Sequence, residues 1–465
     1  MTLRVQDWGF ATTEAGGLAI GGISAEALAR EFGTPLHVLD EEGLKRRACG
    51  LRDAFACAWP GPVTPYYAMK ANNTPGVVAR VLDQGFAPEV GTPFEWTLAR
   101  RLGARPDQIM VNGPNKGPLL DTAVLEGAGL IVVDGPEELD RLAALAAAHD
   151  RRAAVLIRIN PDVVPKGMNR ASATGSRTQS VFGFDLESGE VSAALARLAS
   201  TPALRFAGLH CHVGTGIRHP DHYRRPLEIL AGCSAEAARL GLTVEVLDVG
   251  GGFGVPTSRE LDTMEFLLYQ AVGRLPKSPA PERFPSIEEF AATIAGTLAC
   301  ALRSRGITSV PRLVVEPGRA IVSGAGVLLV GVGGRKERDG VGTWIITDGA
   351  AGTVAFPLFY EYHEVFLCRA PHARRTERYS IVGSVCFSAD WIYRNKRMPP
   401  VRTGDVLAVC DAGAYFTVQE SSFGFPHPPI VAVRDGRSQL LRRRETFEDM
   451  VQRDVDWGVE HAACA

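Results

Sequence analysis

A single lysine ends an apolar, aromatic stretch in the first part of the chain. Residues 64–72 read TPYYAMKAN, so residues typical of a buried strand run directly into Lys70 before the sequence turns polar. A lysine at the mouth of a buried strand can be desolvated, which lowers the pKa of its amine and makes the neutral form a nucleophile toward a carbonyl carbon. The same pattern also fits a solvated lysine that follows a strand, and other stretches must decide between the two.

Two histidines end a later apolar strand. Residues 210–216 read HCHVGTG, and because side chains alternate along a strand, His210 and His212 share one face while Cys211 takes the other. Two histidines on one face could ligate a metal, but no third ligand is spaced nearby, so we predict no metal site. An imidazole followed by a glycine-rich turn is better suited to stacking on a planar cofactor. A core histidine without a further role is the alternative.

Consecutive glycines follow the next apolar strand. Residues 248–254 read DVGGGFG, and glycines in this position let backbone N–H groups approach a phosphate closely. A dinucleotide fingerprint needs G-x-G-x-x-G at the first strand-to-helix turn, whereas this motif comes late and has Val255 in the next position. The pattern therefore favours a site for a single phosphate group.

A carboxylate and an arginine end the last strand of this series. Residues 316–319 read EPGR. Glu316 could simply cap a loop, but against a pyridine nitrogen it would keep that nitrogen protonated and make the ring a strong electron sink. This arrangement favours decarboxylation, which needs a stabilised carbanion, over simple racemisation. Two later residues, Cys386 and Tyr415, are by themselves typical of a β-domain core.

The elements that must position these residues follow two patterns. Between about residues 40 and 320, short apolar runs alternate with helical stretches rich in Ala, Leu, Arg and Glu, which predicts an α/β fold. Near-continuous apolar strands favour a (β/α)8 barrel, with a doubly wound sheet as the alternative. Beyond residue 323, short strands between Gly, Pro and Asp turns predict an antiparallel β domain. We place the barrel at 39–322 and the β domain at 1–38 and 323–465, with residues 256–285 as an inserted lid or surface loop.

Composition excludes several classes of function. The chain has 465 residues, of which 46% are hydrophobic and 22% charged, with a net charge of -2. This balance gives no reason to expect nucleic acid or a membrane as a partner, and no apolar run approaches the roughly 20 residues of a membrane span. The nine cysteines are scattered without a CxxC pair, and no secretory signal is visible. These features predict a cytoplasmic protein without a disulfide framework.

Taken in order, the motifs YYAMKAN, GLHCHVGTG, DVGGGFG, EPGR, a VC…D segment and DAGAY resemble the fold-type III decarboxylases that depend on pyridoxal 5'-phosphate. That family includes diaminopimelate, ornithine and D-ornithine/lysine decarboxylases, and the similarity runs from about residue 30 to about residue 455. The resemblance implies an alanine racemase-like (β/α)8 barrel with a β domain to which the N-terminal residues contribute. It also implies a head-to-tail homodimer with active sites shared across the interface.

Position by position, the resemblance implies a complete cofactor site. Its cofactor-binding residues would be Lys70, Glu89, His212, Gly252, Glu316, Gly318, Arg319 and Tyr415. Lys70 would hold the cofactor covalently, His212 would stack on the pyridine ring, and Glu316 would pair with the ring nitrogen. Glu89 stands where the family usually has an aspartate. The phosphate would be bound by four of these residues, namely Gly252, Gly318, Arg319 and Tyr415.

The resemblance also implies the residues that act on the substrate. Lys70, His212 and Cys386 would be catalytic. Cys386, delivered from the partner subunit, would protonate the carbanion after carbon dioxide leaves, and Asp390 would be the acidic residue that follows this cysteine in the family. Phe356, Tyr360, Phe387 and Asp390 would face the amino-acid substrate.

Two departures from the family bear on the substrate. Phe387 follows the cysteine, where diaminopimelate decarboxylases have a glutamate and ornithine-type enzymes an aspartate, and Phe356-Pro357 replaces an Arg–Pro pair that grips a carboxylate. Tyr360 keeps the family's nearby tyrosine. Without charged partners, binding the zwitterionic distal end of diaminopimelate would cost several kcal/mol. We therefore expect a pocket lined by Phe356 and Phe387 for a larger or less charged amino acid of a specialised biosynthetic pathway.

The expected function is thus α-decarboxylation of an amino acid with pyridoxal phosphate. A racemase on the same fold is one alternative, and Glu316 argues against it. A catalytically silent homologue that binds the cofactor and regulates is another, and the joint presence of Lys70, Glu316 and Cys386 argues against that.

Overall fold

The computed structural model describes residues 3–165, 168 and 172–456. The strands of this part of the chain are β1 (Ala11–Thr12), β2 (Leu18–Ile20), β3 (Ile23–Ser24), β4 (Leu36–Asp40), β5 (Val63–Ala68), β6 (Ala87–Val90), β7 (Met110–Val111), β8 (Leu130–Val133), β9 (Ala153–Asn160), β10 (Phe184–Asp185), β11 (Leu204–His210), β12 (Val246–Asp248), β13 (Arg259–Glu260), β14 (Arg312–Val315), β15 (Gly326–Arg338), β16 (Gly342–Thr347), β17 (Glu361–Tyr362), β18 (Val365–Leu367), β19 (Glu377–Val382), β20 (Trp391–Met398), β21 (Val406–Val409), β22 (Ile430–Arg434) and β23 (Arg437–Arg442). The α-helices are α1 (Ala25–Phe32), α2 (Glu41–Ala58), α3 (Pro75–Leu82), α4 (Pro93–Arg101), α5 (Pro118–Glu126), α6 (Pro136–Ala148), α7 (Glu190–Ala199), α8 (Arg224–Arg239), α9 (Thr263–Val272), α10 (Ile287–Arg303), α11 (Arg319–Val322) and α12 (Phe447–Val451).

Eight parallel strands close into a barrel. The ring runs from β5 to β9 and on through β11, β12 and β14, and it closes because β14 pairs with β5. Side chains that alternate along these strands fill the interior, namely Tyr66, Met110, Leu130, Val132, Ala154, Leu156, Ala207, Val246 and Val314. The predicted (β/α)8 barrel is confirmed, and the doubly wound alternative is excluded because an open sheet would leave β5 and β14 unpaired.

Proline starts several of the helices that surround the barrel. Helices α3, α4, α5 and α6 each begin at a proline. The fixed φ of proline suits the first helical turn, and its lack of an N–H costs no hydrogen bond there, because N–H groups of the first turn have no acceptor within the helix. The first turn of α4 is further capped by Thr92, whose hydroxyl accepts a hydrogen bond from Glu95 N at 3.1 Å. These local signals explain why the chain turns into a helix so soon after each strand.

A second sheet forms the β domain. Its strands lie in the order β20-β19-β16-β15-β4-β22-β23, and β21 pairs with both β15 and β18. Most pairs are antiparallel, as predicted, but β16 with β19 and β4 with β22 run parallel, so the sheet is mixed. Strand β4 extends to residue 40, two residues past the predicted boundary, and the proposed domain limits stay a prediction.

The N-terminal residues pack on this second sheet. Trp8 is buried, its indole N–H donates to Asp411 Oδ2 at 2.7 Å, and its ring meets Phe366 edge-on at 5.6 Å. Since Asp411 and Phe366 both belong to the C-terminal part, this contact ties the two ends of the chain together.

The segment 256–285 is more ordered than a surface loop. It contains β13, which pairs with β17, and α9, which Asp262 caps by accepting from Glu265 N at 2.7 Å. Arg394 Nη1 donates to Gln270 O at 2.7 Å, which fastens α9 to the β domain. The expectation of an irregular loop was therefore wrong, since capping and strand pairing satisfy much of its backbone.

A cluster of buried rings joins α10 to the barrel. Phe290 on α10 lies 6.0 Å from Phe253 and 6.3 Å from Tyr223, both measured between ring centroids. All three rings are almost fully buried.

Within the described residues, no helix is both long and apolar enough to cross a bilayer.

Removing one of these rings should destabilise the barrel measurably. We expect Phe290→Ala to lower the free energy of unfolding by about 3 kcal/mol or more, because the truncation loses apolar burial and leaves a cavity. Urea denaturation followed by circular dichroism measures this. Phe94→Ala is the matched control, since Phe94 is 58% exposed and should cost under about 1 kcal/mol. Equal losses in both variants would show that the ring cluster is not a packed core.

Candidate active site

The carboxyl ends of the barrel strands gather the charged residues of the sequence motifs. Lys70 lies just after β5, Glu89 lies near the end of β6, and Glu316 follows β14. These three strands are consecutive around the ring, with β5 between the other two. Barrel closure therefore brings together residues that are up to about 250 positions apart. They meet at the carboxyl end of the strands, where enzymes with a (β/α)8 barrel have their active sites.

Lys70 and Glu89 form an ion pair at this end of the barrel. Lys70 Nζ lies 3.6 Å from Glu89 Oε1, and the lysine side chain is 54% exposed while the glutamate is 4% exposed. Burial raises the pKa of Glu89 to about 7, although attraction to Lys70 opposes this shift. The pair thus places an exposed amine beside a carboxyl group that can take up a proton near neutral pH.

The predicted low pKa of the lysine was wrong. Burial does oppose the charged amine, but attraction to Glu89 and Glu316 outweighs it, so the pKa of Lys70 lies above its ordinary value. The sequence indicated only the strand before the lysine, whereas the two carboxylates come from other strands. The amine is therefore protonated at neutral pH until a neighbour accepts its proton.

Glu316 is a buried carboxylate that its neighbours keep ionised. Its Oε1 accepts a hydrogen bond from Asn112 Nδ2 at 3.1 Å, and His210 Nε2 lies 3.2 Å from the same oxygen. Burial alone would raise the pKa of Glu316, but attraction to His210 and Lys70 outweighs burial and holds the pKa well below its ordinary range. A fixed negative charge therefore lies beside the lysine.

A second buried carboxyl group lies next to this one. Asp248 at the end of β12 accepts a hydrogen bond from Gly250 N at 2.8 Å, and burial together with the charge of Glu316 raises its pKa well above the ordinary value. Polar atoms of His210, Asp248 and Glu316 lie within 4.8 Å of one another. The sequence argument that His210 has no third ligand nearby was thus wrong in three dimensions, and the absence of a metal stays a prediction.

The second histidine is held by the glycine loop. His212 Nδ1 lies 3.1 Å from Gly251 N and accepts its hydrogen, while burial lowers the pKa of the ring well below its usual value. The ring is therefore neutral and carries its proton on Nε2. Gly252 has a φ of 84° and its Cβ would lie 1.9 Å from Gly214 O, so no side chain can enter the loop.

An arginine begins the short helix after β14. Arg319 donates from both Nη atoms to the carboxylate of Glu361, at 2.8 and 2.7 Å, and its guanidinium lies 4.9 Å from the ring centroid of Tyr415. Burial opposes ionisation of Glu361, but Arg319 outweighs burial and lowers the pKa of Glu361 to about 2. The buried Nε of Arg319 has no partner among the described residues. This N–H is available to an anionic group in the loop region.

Tyr415 is brought to the lysine by its backbone. Its N–H donates to Ala71 O at 2.8 Å, directly after Lys70, and its φ of 66° is a strained left-handed conformation for a tyrosine. Gly318 is equally constrained, because its Cβ would lie 2.8 Å from the Cβ of Ala71. The two residues therefore border the turn that carries Lys70, and their binding of the cofactor stays a prediction.

The predicted substrate residues form two groups. Phe356 is 44% exposed and packs against Tyr360 at 6.0 Å, next to Glu361. Phe387 is 45% exposed, and Asp390 is buried, where its carboxylate accepts from Gly352 N and Val385 N at 2.8 and 3.3 Å. Asp390 thus supports its own loop.

No hydrogen bond, ion pair or ring contact within the described ranges joins Cys386 or Phe387 to Lys70. Cys386 is exposed and carries a free thiol. Its delivery from a partner subunit stays a prediction.

Several residues of the site were missed from the sequence. They are Asn112, Arg158, Asp248 as a partner of Glu316, and Glu361. Arg158 left a visible signal, since it is a charged residue inside the apolar strand β9, where it lies 3.3 Å from Asp134. Asn112 and Glu361 left none, because their roles depend on partners from distant strands.

A closed barrel with a lysine, ionised carboxylates and a glycine loop at its carboxyl end has the layout of a barrel enzyme. Residues 43–323 match the family described as "Pyridoxal-dependent decarboxylase, pyridoxal binding domain". This match covers more than half of the chain, and the chain belongs to that family. It is a decarboxylase dependent on pyridoxal 5'-phosphate, as the motifs indicated.

Relatives and solved structures agree over nearly the whole chain. The diaminopimelate decarboxylase of Actinosynnema pretiosum subsp. auranticum is 36% identical over 95% of this chain and 93% of its own length. That of Methanothermobacter thermautotrophicus is 31% identical, over 94% and 96%. The crystal structure of the M. jannaschii diaminopimelate decarboxylase with L-lysine has a TM-score of 0.85 at 26% identity, covering 98% of this chain and 99% of that one.

The residues present fit the cofactor. The exposed Lys70 amine suits its aldehyde group, the ionised Glu316 suits its ring nitrogen, and the glycine loop with the unpartnered Arg319 Nε suits its phosphate. The donor set is thus complete within the barrel and the helix that follows it.

Replacement of the lysine should abolish covalent cofactor binding. We expect Lys70→Ala to lose the visible absorbance band of the bound cofactor, because no other amine would replace it. Borohydride reduction of the wild type and peptide mass spectrometry should then place the cofactor mass on the peptide that contains Lys70. Lys45→Ala, at an exposed position on α2, is the control and should keep the band. A cofactor mass on another lysine would contradict the assignment.

The pairing of Glu361 with Arg319 predicts a stability that depends on pH. Because the folded pKa of about 2 is below the ordinary value of 4.5, this carboxylate stabilises the fold fully above about pH 4.5 and progressively less as the pH falls toward 2. Between about pH 6 and about pH 3 the wild type should lose about 2 kcal/mol that Glu361→Gln does not lose. Urea unfolding at each pH measures this. Glu337→Gln removes an exposed ion pair and should follow the wild type.

Proposed function

We propose that Lys70 holds the cofactor of this decarboxylase and that Glu316 sets its chemistry. The observation that supports this is the buried Glu316 charge, fixed by Asn112 and His210 near the exposed amine of Lys70. A negative charge against a pyridine nitrogen favours carbanion chemistry. An arginine in that position would have favoured other α-carbon reactions.

Bound pyridoxal phosphate supplies an electron sink for the carbanion that remains when carbon dioxide leaves the substrate. Before any covalent step, the proton on Lys70 Nζ must move, and Glu89, whose Oε1 lies 3.6 Å away, is the carboxylate paired with that amine. Glu316 would pair with the ring nitrogen of the cofactor and would keep a proton on it. Cys386, supplied by a second subunit as the resemblance implies, returns a proton to the α-carbon.

For the substrate, we propose an α-amino acid with a larger or less charged distal end than that of diaminopimelate. Phe356 and Phe387 stand where related enzymes have charged partners, and both rings are nearly half exposed in a single chain. Phe356 and Tyr360 adjoin Glu361, so this aromatic group lies on the same segment that holds Arg319. Moving a zwitterion from water onto an apolar surface costs more free energy than moving an apolar or neutral group there.

A second candidate is diaminopimelate itself. The names of the relatives favour it. Glu260 favours it as well, because burial and the charge of Glu361 raise the pKa of this carboxylate to about 7. Leu261 N donates to Tyr360 O at 2.8 Å, which places this carboxylate beside the aromatic group. A cationic distal amine could pair with it.

A substrate panel separates the two candidates. We expect the holoenzyme to release carbon dioxide from an aromatic, amide-capped or other weakly charged amino acid with a kcat/KM at least about tenfold above that for diaminopimelate. Phe387→Glu should raise activity toward diaminopimelate, because it restores an acidic partner. Val310→Glu, an exposed position before β14 at the opposite end of the barrel, is the control and should change neither activity. Diaminopimelate as the best substrate of the wild type would contradict the proposal.

Three other expectations stay predictions, namely a homodimer, a cytoplasmic location and a specialised pathway.

A further inference from the structure

A large pocket lies on the β domain at the face of β19 and β20. Its volume is about 910 Å³, which is within the range of small-molecule sites. Its charged lining consists of Arg4, Arg374, Arg375, Arg378, Arg397, Lys396 and Glu364. We call it the arginine pocket, because five arginines and one lysine line it together with a single carboxylate, Glu364.

That carboxylate is ionised, and its charge is balanced by two cations of the pocket. Glu364 lies 2.8 Å from both Lys396 Nζ and Arg375 Nη1. Burial opposes ionisation of Glu364, but these two cations outweigh it and lower its pKa to about 2. Lys396 is itself buried and lies 3.2 Å from the Tyr362 hydroxyl. The floor of the pocket is therefore a fixed, fully charged group of side chains.

Three of the remaining four arginines, on the strands and loop of the β domain, have no such compensation. Arg374, Arg378 and Arg397 are exposed, and none of them forms an ion pair within residues 3–165, 168 and 172–456. Arg378 and Arg397 lie directly opposite each other in the antiparallel register of β19 and β20. Like charges at opposed positions destabilise a sheet. An anion between the two guanidinium groups would relieve this repulsion.

The concentration of positive charge is local. The whole chain carries a net charge of -2, so the arginine pocket does not follow from a basic composition. Guanidinium groups bind phosphate and carboxylate oxygens through paired, charge-assisted hydrogen bonds, and several around one cavity select a ligand with more than one anionic group. We propose that the arginine pocket binds a small anion that carries two or more phosphate or carboxylate groups.

This pocket is distinct from the proposed site for the cofactor phosphate at the glycine loop and Arg319. Tyr362 lines the pocket, while Glu361, one residue earlier on β17, binds Arg319, and successive side chains of a strand point to opposite faces. One strand thus separates the two places. A test must therefore keep the cofactor bound, so that an added anion cannot occupy the phosphate site instead.

The test titrates the holoenzyme with inorganic pyrophosphate, tripolyphosphate and citrate by calorimetry at low ionic strength. We expect saturable binding of at least one of them, and a loss of affinity of at least about tenfold in Arg378→Gln/Arg397→Gln. The control Arg239→Gln/Arg303→Gln removes two exposed charges from α8 and α10, which do not line the pocket, and should bind within about twofold of the wild type.

Thermal melting checks that the variant is folded. Without added anion, Arg378→Gln/Arg397→Gln should melt no lower than the wild type, because it removes a repulsion, and only the wild type and the control should gain stability from the anion. Absence of binding to all three anions would overturn the proposal, as would equal binding by the pocket and control variants. Tight binding of RNA without binding of small anions would overturn it in favour of a polymer site.

Discussion

The active site depends on the burial of one negative charge. Removing a carboxylate from water costs several kcal/mol unless neighbouring groups compensate. Around Glu316 the compensation comes from Asn112, His210 and Lys70, which belong to different strands or the turns that follow them. The charge therefore requires the closed barrel, since an open sheet would separate these groups and leave the carboxylate to bind a proton.

The β domain contributes to the same site by supplying the partner of an arginine. Arg319 begins the helix that leaves the barrel, and its partner Glu361 lies on β17 in the C-terminal part of the chain. This buried two-point pair fixes the guanidinium plane but leaves Nε unused. The inserted segment 256–285 pairs with the same strand through β13, so barrel and β domain are joined where the phosphate is expected.

Much of the fold could be predicted from local patterns. Apolar strands alternating with helical stretches rich in Ala, Leu, Arg and Glu indicated the barrel, and the change to short strands after residue 323 indicated a β domain. The two parallel pairs of the second sheet could not be predicted, because register and direction depend on which strands meet. The helix α9 was missed for a different reason: most of its residues are apolar, but only Tyr269 is buried, and its stability comes from a cap and from Arg394.

The sequence by itself predicted the site residues, since Lys70, Glu89, His212, Glu316, Arg319 and the glycine loop belong to recognisable motifs. Their protonation was decided only by the tertiary structure. A motif shows the strand before a lysine, but the pKa of Lys70 depends on carboxylates from two other strands, and these reverse the shift that burial alone would cause. The same applies to Asp248 and to the arginine pocket, because electrostatic interactions act through space between residues that the sequence keeps far apart.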